Sequence, residues 1–303
     1  MTDPKRQLFY GGTNFKALVH RRAYYVDKTA WFPLLEEHRC TAVLGAHQVG
    51  KSLLCTTLQC YYDINLADRF PSLFARTRIG AGATAECGQY HVLHFDFSKI
   101  AASDRVDEIR VRFNRHCNMR LQDFAMINEG HLTHALRGDL DEDAADNLRV
   151  LFALAQACRR PPFYVIIDAY DHFANQCQAA GKHDVHQQLM HAHSFLGCFF
   201  KTLQTGLEDN TVKRVMVTGV SSTVIETLAP GFHLANAHSL LGFSQDEIDR
   251  LLDRIYLDHQ LGPDSRAAIN DRVTAHRLLE SNGELLYSGA VLNWLAEHLK
   301  LKS

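Results

Sequence analysis

Residues 45–52 read Gly-Ala-His-Gln-Val-Gly-Lys-Ser and directly follow the apolar run Thr41, Ala42, Val43, Leu44. The spacing is G-x-x-x-x-G-K-[ST], a phosphate-binding loop, and it constrains the chain more than any other feature. Such a loop needs a strand before it and a helix after it. The strand supplies a rigid edge, and the helix N-terminus turns unpaired backbone N–H groups toward an anion. Gly45 and Gly50 allow the tight turn and close approach to phosphate oxygens. The segment Gly45, Ala46, His47, Gln48, Val49, Gly50, Lys51, Ser52 and Leu53 is therefore the expected nucleotide cradle. Lys51 is placed to reach the β- and γ-phosphates and Ser52 to offer its hydroxyl to Mg²⁺.

The rest of the 303 residues alternates in period as a parallel α/β chain should. The stretch 51–62 has helical spacing, with Leu54, Leu58 and Tyr61 on one face. Residues 90–97 alternate and are rich in strand formers. Residues 104–124 carry Val106, Ile109, Phe113, Cys117, Leu121 and Phe124 near the 3.6 period, and residues 141–158 open on acids that suit a helix start. Two short apolar runs, 163–168 and 214–219, read as strands buried on both faces. Ser244 with Glu247 three places on is a capping box, and the chain beyond residue 243 reads as all helical. These features predict an α/β fold: a parallel-sheet P-loop NTPase core covered by helices, residues 1–243, and a C-terminal helical region, residues 244–303. Ligands should gather at the carboxyl ends of the strands.

Composition narrows the function classes. Thirty-two basic residues against 34 acidic ones give a formal net charge of −2, which argues against a broad nucleic-acid surface. No run of 18 apolar residues marks a membrane span, and the N-terminus lacks the apolar core of a secretory signal. The eight cysteines fall in no C-x-x-C pair, so reduced, packed thiols in a cytoplasmic protein are expected. His183, His186, His191 and His193 form the densest histidine group. No acid or cysteine completes a familiar ligand pattern there, and a polar helix start and face is the simpler reading.

The second chemical motif is Tyr164-Val165-Ile166-Ile167-Asp168-Ala169-Tyr170-Asp171. An aspartate ending a buried strand needs a cation or donor close by. Asp168 is accordingly expected to hold the Mg²⁺ shell, with Asp171 assisting the metal or capping a turn.

These residues together resemble the predicted AAA-ATPase-like proteins, in the STAND/AAA part of the P-loop NTPases. The resemblance runs patchily from about residue 10 to about residue 250. It is carried by YYVDKT (24–29), LQCYYDI and FPSLFARTRIG after the loop, HVLHFDFSKI, IDAYDHFAN, VTGVSS followed by PGFHLAN, and LLGFSQDEI. The resemblance implies ATP with Mg²⁺ as ligands and puts Thr218 at a sensor position near the γ-phosphate or attacking water. It places Asp27 and Lys28 in a motif near the nucleotide base. It suggests a homo-oligomer or protein partner, with Arg214, Arg250 and Arg254 as candidates to serve a neighbour's site. Nucleic acid enters only by family analogy, because many relatives carry a C-terminal PD-(D/E)XK nuclease-like domain that is expected to be absent here. LYSGAVLNWLAEHL resembles the last helix of the family's ATPase part.

Two departures from the family pattern bear on activity. The family loop reads RPRRFGKS where this chain has GAHQVGKS, so three arginines are lost while Gly45 keeps the general consensus. Ala169 stands where the family has a glutamate that orients or deprotonates the attacking water. Three readings follow: a weak or slow Mg²⁺-dependent ATPase using Lys51, Asp168, Asp171 and Thr218; a non-hydrolysing nucleotide-gated binding or signalling module; or a homologue that has lost its ligand. Retention of Lys51 speaks against the third, since a buried cation without its phosphates is costly. No N-K-x-D guanine signature follows Asp168, which leans toward adenine.

Overall fold

A computed structural model describes residue 6 and residues 12–128, 142–235, 240–274, 277–279, 285–287 and 295. The chain runs α1 (Phe15–His20), α2 (Phe32–Leu35), β1 (Cys40–Leu44), α3 (Lys51–Tyr62), α4 (Phe70–Phe74), β2 (His91–Asp96) and α5 (Val106–Ile127). It continues through α6 (Ala144–Ala157), β3 (Phe163–Asp168), α7 (His172–Ala179), α8 (His183–Leu189), α9 (Phe195–Glu208), β4 (Val212–Gly219), α10 (Thr223–Leu228) and β5 (His233–Leu234). The last described elements are α11 (Gln245–His259), α12 (Pro263–Thr274), β6 (Arg277–Leu279) and β7 (Leu285–Tyr287).

Five strands form one all-parallel sheet in the order β2-β3-β4-β1-β5, so the α/β P-loop core expected from the sequence is present. The period-2 alternation divides each strand between two cores. Val165, Ile167, Val215 and Val217 pack with α5, α6 and α9 through residues such as Phe113, Leu148 and Phe199. Tyr164, Ile166, Met216 and Val43 pack on the other face with α3 and its neighbours through Leu54, Leu58 and Tyr61. Every residue of β3 is buried, as a strand covered on both faces must be. By the same alternation His94, Asp168 and Thr218 fall on the α3 face. β4 lies between β1 and β3, so Asp168 stands two strand spacings, roughly 10 Å, from the strand that carries the loop.

The expectation that the chain is all helical beyond residue 243 is corrected here. β6 and β7 pair antiparallel, with Leu278 opposite Leu286. Segments this short cannot carry a helical stripe, but paired in a ladder they satisfy their backbone groups. The Asn282-Gly283 step between them is a hairpin signal that was legible. Of the segment that resembles a last helix, Leu286 and Tyr287 lie in β7, and residues 288–294 and 296–299 lie outside the described residues. A third apolar cluster joins α11 and α12 to Tyr24 near the start of the chain, through Ile248, Leu252, Ile255 and Val273. None of the described helices is long and apolar enough to cross a membrane.

Arg214 is also relocated. It is 6% exposed, donates from Nη1 to the His38 carbonyl at 2.8 Å, and pairs two-pronged with the Glu86 carboxylate. A guanidinium so engaged anchors β4 to the segments that precede β1 and β2 and is not presented to a neighbouring subunit. Burial alone would push the Glu86 carboxyl up, but the hydrogen bonds and charge of Arg214, with the Tyr90 hydroxyl, hold it below the ordinary carboxylate range. A depressed native pKa adds stability above the unfolded value, about 4.3, that is lost as pH falls through the native one. Glu86→Gln should therefore lower stability by about 2 kcal/mol at neutral pH, short of the fully buried case because Glu86 is partly exposed. Urea unfolding should register this, with the gap between wild type and variant closing below about pH 4.

Candidate functional site

The loop after β1 is built as its spacing demands. Gly45 donates its N–H to the Gly219 carbonyl at 3.1 Å, which fixes the loop's start to the end of β4. Gln48 and Gly50 adopt left-handed φ of 64° and 96°. This costs Gly50 little but Gln48 on the order of 1 kcal/mol. Val49 is buried beneath the loop, and its carbonyl accepts from Gly242 N–H at 2.7 Å. α3 begins at Lys51, so its first N–H groups face the cavity entrance. The Lys51 ammonium donates to the Gly45 and Ala46 carbonyls at 2.6 and 2.5 Å.

The loop opens into a cavity of about 1060 Å³, large enough for a nucleotide. His47, Gln48, Val49, Gly50, Lys51, Ser52 and Leu53 line one side with Asp168, Ala169 and Asp171. Gly45 and Ala46 form the loop's base, while Thr218 is fully buried behind the wall. Ser52 and Asp168 thus bring hard oxygen donors to one cavity, a donor set that suits Mg²⁺.

Each carboxylate has a distinct environment. Asp168 is 4% exposed, and its Oδ1 accepts the Thr218 hydroxyl at 2.5 Å. That hydroxyl also accepts from the Ala169 N–H at 3.3 Å. Thr218, fully buried, is thus hydrogen-bonded to both Asp168 and the Ala169 N–H. Ala169 itself is left-handed, φ 53°. Asp171 is 1% exposed, and its Oδ2 accepts from Val220 N–H (2.9 Å), Ser221 N–H (2.8 Å) and Asn175 Nδ2 (2.7 Å). The Tyr170 hydroxyl donates to the Ser221 carbonyl alongside. Gly219 is required by this close approach: a Cβ there would stand 2.4 Å from Tyr170 Cε1 and 2.8 Å from Asp171 Oδ1. Asp171 thus braces the loop after β4.

The opposite wall was not foreseen as a unit. Tyr24, Tyr25, Val26, Phe32, Leu240 and Phe243 supply apolar surface facing the loop. Lys28 Nζ bonds both oxygens of Glu247, at 2.8 and 2.6 Å. Glu247 belongs to the predicted capping box: it accepts Ser244 N–H at 2.9 Å while Ser244 Oγ accepts Glu247 N–H at 3.3 Å. Tyr24 adds a hydroxyl bond to Asp258 at 2.9 Å. Asp27 turns away, accepting from the Thr29 and Arg78 N–H groups. The segments 24–29 and 240–248, far apart in sequence, meet at the cavity because one ion pair and one apolar cluster join them.

All eight cysteines are free thiols. Among the described residues, the side chains of the His183 group do not gather with other ligand types. The cluster that does gather is Cys55, His94 and Asp168, of which sequence spacing pointed only to Asp168.

The profile of the family described as Predicted AAA-ATPase matches residues 9–229 of this chain. A search of the curated proteins finds no match. The matched span holds the loop, Asp168, Thr218 and Lys28, and stops short of Glu247.

Replacing Asp171 by Asn should test the brace. An amide cannot accept from both loop N–H groups with the strength of a carboxylate, so the variant should unfold about 2 kcal/mol more easily. Chemical denaturation would measure it; an unchanged midpoint would remove Asp171 from this role.

Proposed function

The chain belongs to the predicted AAA-ATPase family, and from that premise we propose that it binds ATP with Mg²⁺ and hydrolyses it slowly. The observation that carries the reading is the convergence of Lys51, Ser52 and Asp168 on one cavity beside a loop of left-handed turns. The loop amides would cradle the β-phosphate. Lys51 would exchange its two carbonyl partners for phosphate oxygens, which offer full negative charge in place of neutral acceptors. Ser52 and Asp168 would hold the metal, which supplies charge neutralisation at the β- and γ-oxygens. Thr218 would keep the Asp168 carboxylate aimed, and Asp171 would keep residues 219–221 in place beside it. The adenine ring would lie against the apolar wall of Tyr25, Phe32 and Phe243, close to Lys28.

The residue missing from this arrangement is a base for the attacking water. Ala169 carries no polar group, and the Asp171 oxygen that could substitute is occupied by loop amides. Loss of a general base costs about 10² to 10⁴ in rate, which supports turnover well below that of an ordinary ATPase. A second reading, a nucleotide-gated module that does not hydrolyse, is favoured by the Lys28–Glu247 pair. That pair ties the cavity wall to α11 and gives the ligand a route to α11 and α12, the helices of the C-terminal region proposed at residues 244–303, as a responding unit. Arg250 and Arg254 are exposed on α11, where an oligomer or protein partner would meet them; Arg254 already pairs with Asp258. The eight free thiols fit a cytoplasmic setting.

Two variants test the assignment. Lys51→Ala should weaken ATP binding by about 100-fold, the worth of a charge-assisted phosphate contact, measured by titration calorimetry. Ala169→Glu should raise phosphate release by about 10²-fold over the parent. The left-handed backbone at 169 already accommodates an L-residue, so the added side chain brings little extra strain. Equal release by parent and variant would remove position 169 from the mechanism.

A further inference from the structure

Directly beneath the cavity floor, three side chains of mixed ligand type converge. Cys55 lies one turn after Lys51 on α3 and is fully buried. His94 is on β2 and Asp168 on the adjacent β3, where His94 pairs with Ile166 and Asp96 with Asp168. Both side chains therefore point to the α3 face, one pleat repeat apart. A ligand atom from each of Cys55, His94 and Asp168 lies within 4.8 Å of the other two. Around a tetrahedral zinc ion, ligand atoms stand about 3.5 Å apart, so a shift of about 1 Å by each side chain would close the set.

A second observation points to a ligand. The His94 Nε2 atom is buried with no hydrogen-bond partner. The other ring nitrogen, Nδ1, lies 3.3 Å from Gln59 Oε1. In the tautomer in which that carbonyl oxygen accepts from Nδ1–H, Nε2 is deprotonated and its lone pair is unused. This is how metal-binding imidazoles are held: one nitrogen is fixed by an outer partner and the other is bare. Asp168 Oδ1 takes the Thr218 hydroxyl, and its second oxygen remains for the ion. The Cys55 Sγ has a weak contact of 3.8 Å to Thr218 Oγ1 and would lose its proton to solvent on binding.

We propose that Cys55, His94 and Asp168 form a binding site for a thiophilic divalent cation, Zn²⁺ or a metal of similar chemistry, whose occupation withdraws Asp168 from the nucleotide's Mg²⁺. Thiolate and imidazole select zinc over magnesium, and magnesium needs an oxygen shell this pocket does not offer. The ion site stands on the three side chains alone. Its antagonism to nucleotide rests on the function proposed above: Thr218 occupies Oδ1 of Asp168, so the two metals compete for the remaining oxygen.

The two parts can be tested separately. Cobalt(II) serves as a coloured probe added to reduced, chelator-stripped protein. Wild type should develop the intense near-ultraviolet thiolate-to-cobalt band and tetrahedral visible bands at one equivalent. Cys55→Ser and His94→Asn should lose them, whereas Cys158→Ser, an exposed thiol elsewhere, should keep them. Circular dichroism melting of each variant separates loss of the site from loss of the fold, and the two independent variants guard against one failing to fold. No thiolate band in wild type, or a band that survives in both folded variants, overturns the site. In the second arm, Zn²⁺ should weaken Mg²⁺–ATP binding to wild type by about tenfold and leave Cys55→Ser unmoved. Equal weakening in both overturns the antagonism. If the chain binds no ATP at all, the cobalt band is still expected, and only the nucleotide reading fails.

Discussion

A lysine ammonium held against two backbone carbonyls governs the whole cavity. Lys51 sits at the start of α3 with Gly45 and Ala46 as its partners, so its charge is stabilised at the loop before any anion arrives. The geometry depends on the sheet: β1 delivers the loop, Gly219 of β4 pins its first N–H, and Gly242 pins Val49 from the far side. Left-handed Gln48 and Gly50 turn the intervening amides in one direction. Each of these is a local cost, in strain or in unpaired donors, that an anionic ligand would offset.

Behind the loop, the buried polar groups divide the work. Two carboxylates lie four residues apart in chemically different settings. Asp168 accepts the Thr218 hydroxyl on one oxygen and lines the cavity. Asp171 has three donors on one oxygen and holds a loop. Burial is tolerated in both because each has hydrogen-bond donors, as low dielectric requires. The same accounting draws attention to His94, whose bare Nε2 leaves the account open. The Lys28–Glu247 pair serves a similar end at the outer wall, joining the segment before α2 to the capping box of α11.

The parallel sheet and its covering helices were legible because they rest on local period. Residues 163–168 are continuous apolar strand formers and become β3; residues 51–62 keep a helical stripe and become α3. The capping box at Ser244 and the core face of α5 follow from the same kind of signal. The β6–β7 pair was missed because the 3.6-residue reading of the tail overrode the Asn282-Gly283 signal in the sequence. In the site, the loop and Asp168 could be read from spacing. The roles of Thr218 and Asp171 could not, because they depend on which neighbour a short side chain reaches across strands. Arg214 was misplaced for the same reason: its partner Glu86 is 128 residues away in sequence. The Cys55–His94–Asp168 group draws on one helix and two strands, and no spacing rule joins them.

The central claim is that the cavity recognises a polyphosphate through the loop and its lysine. Titration calorimetry of the wild-type chain with ATP, ADP, AMP and adenosine, each with and without Mg²⁺, tests it most directly. The account predicts affinity that rises steeply with phosphate number, strengthens with Mg²⁺ for ATP, and vanishes for adenosine. Equal binding of adenosine and ATP, or no binding of any of the four, would contradict it.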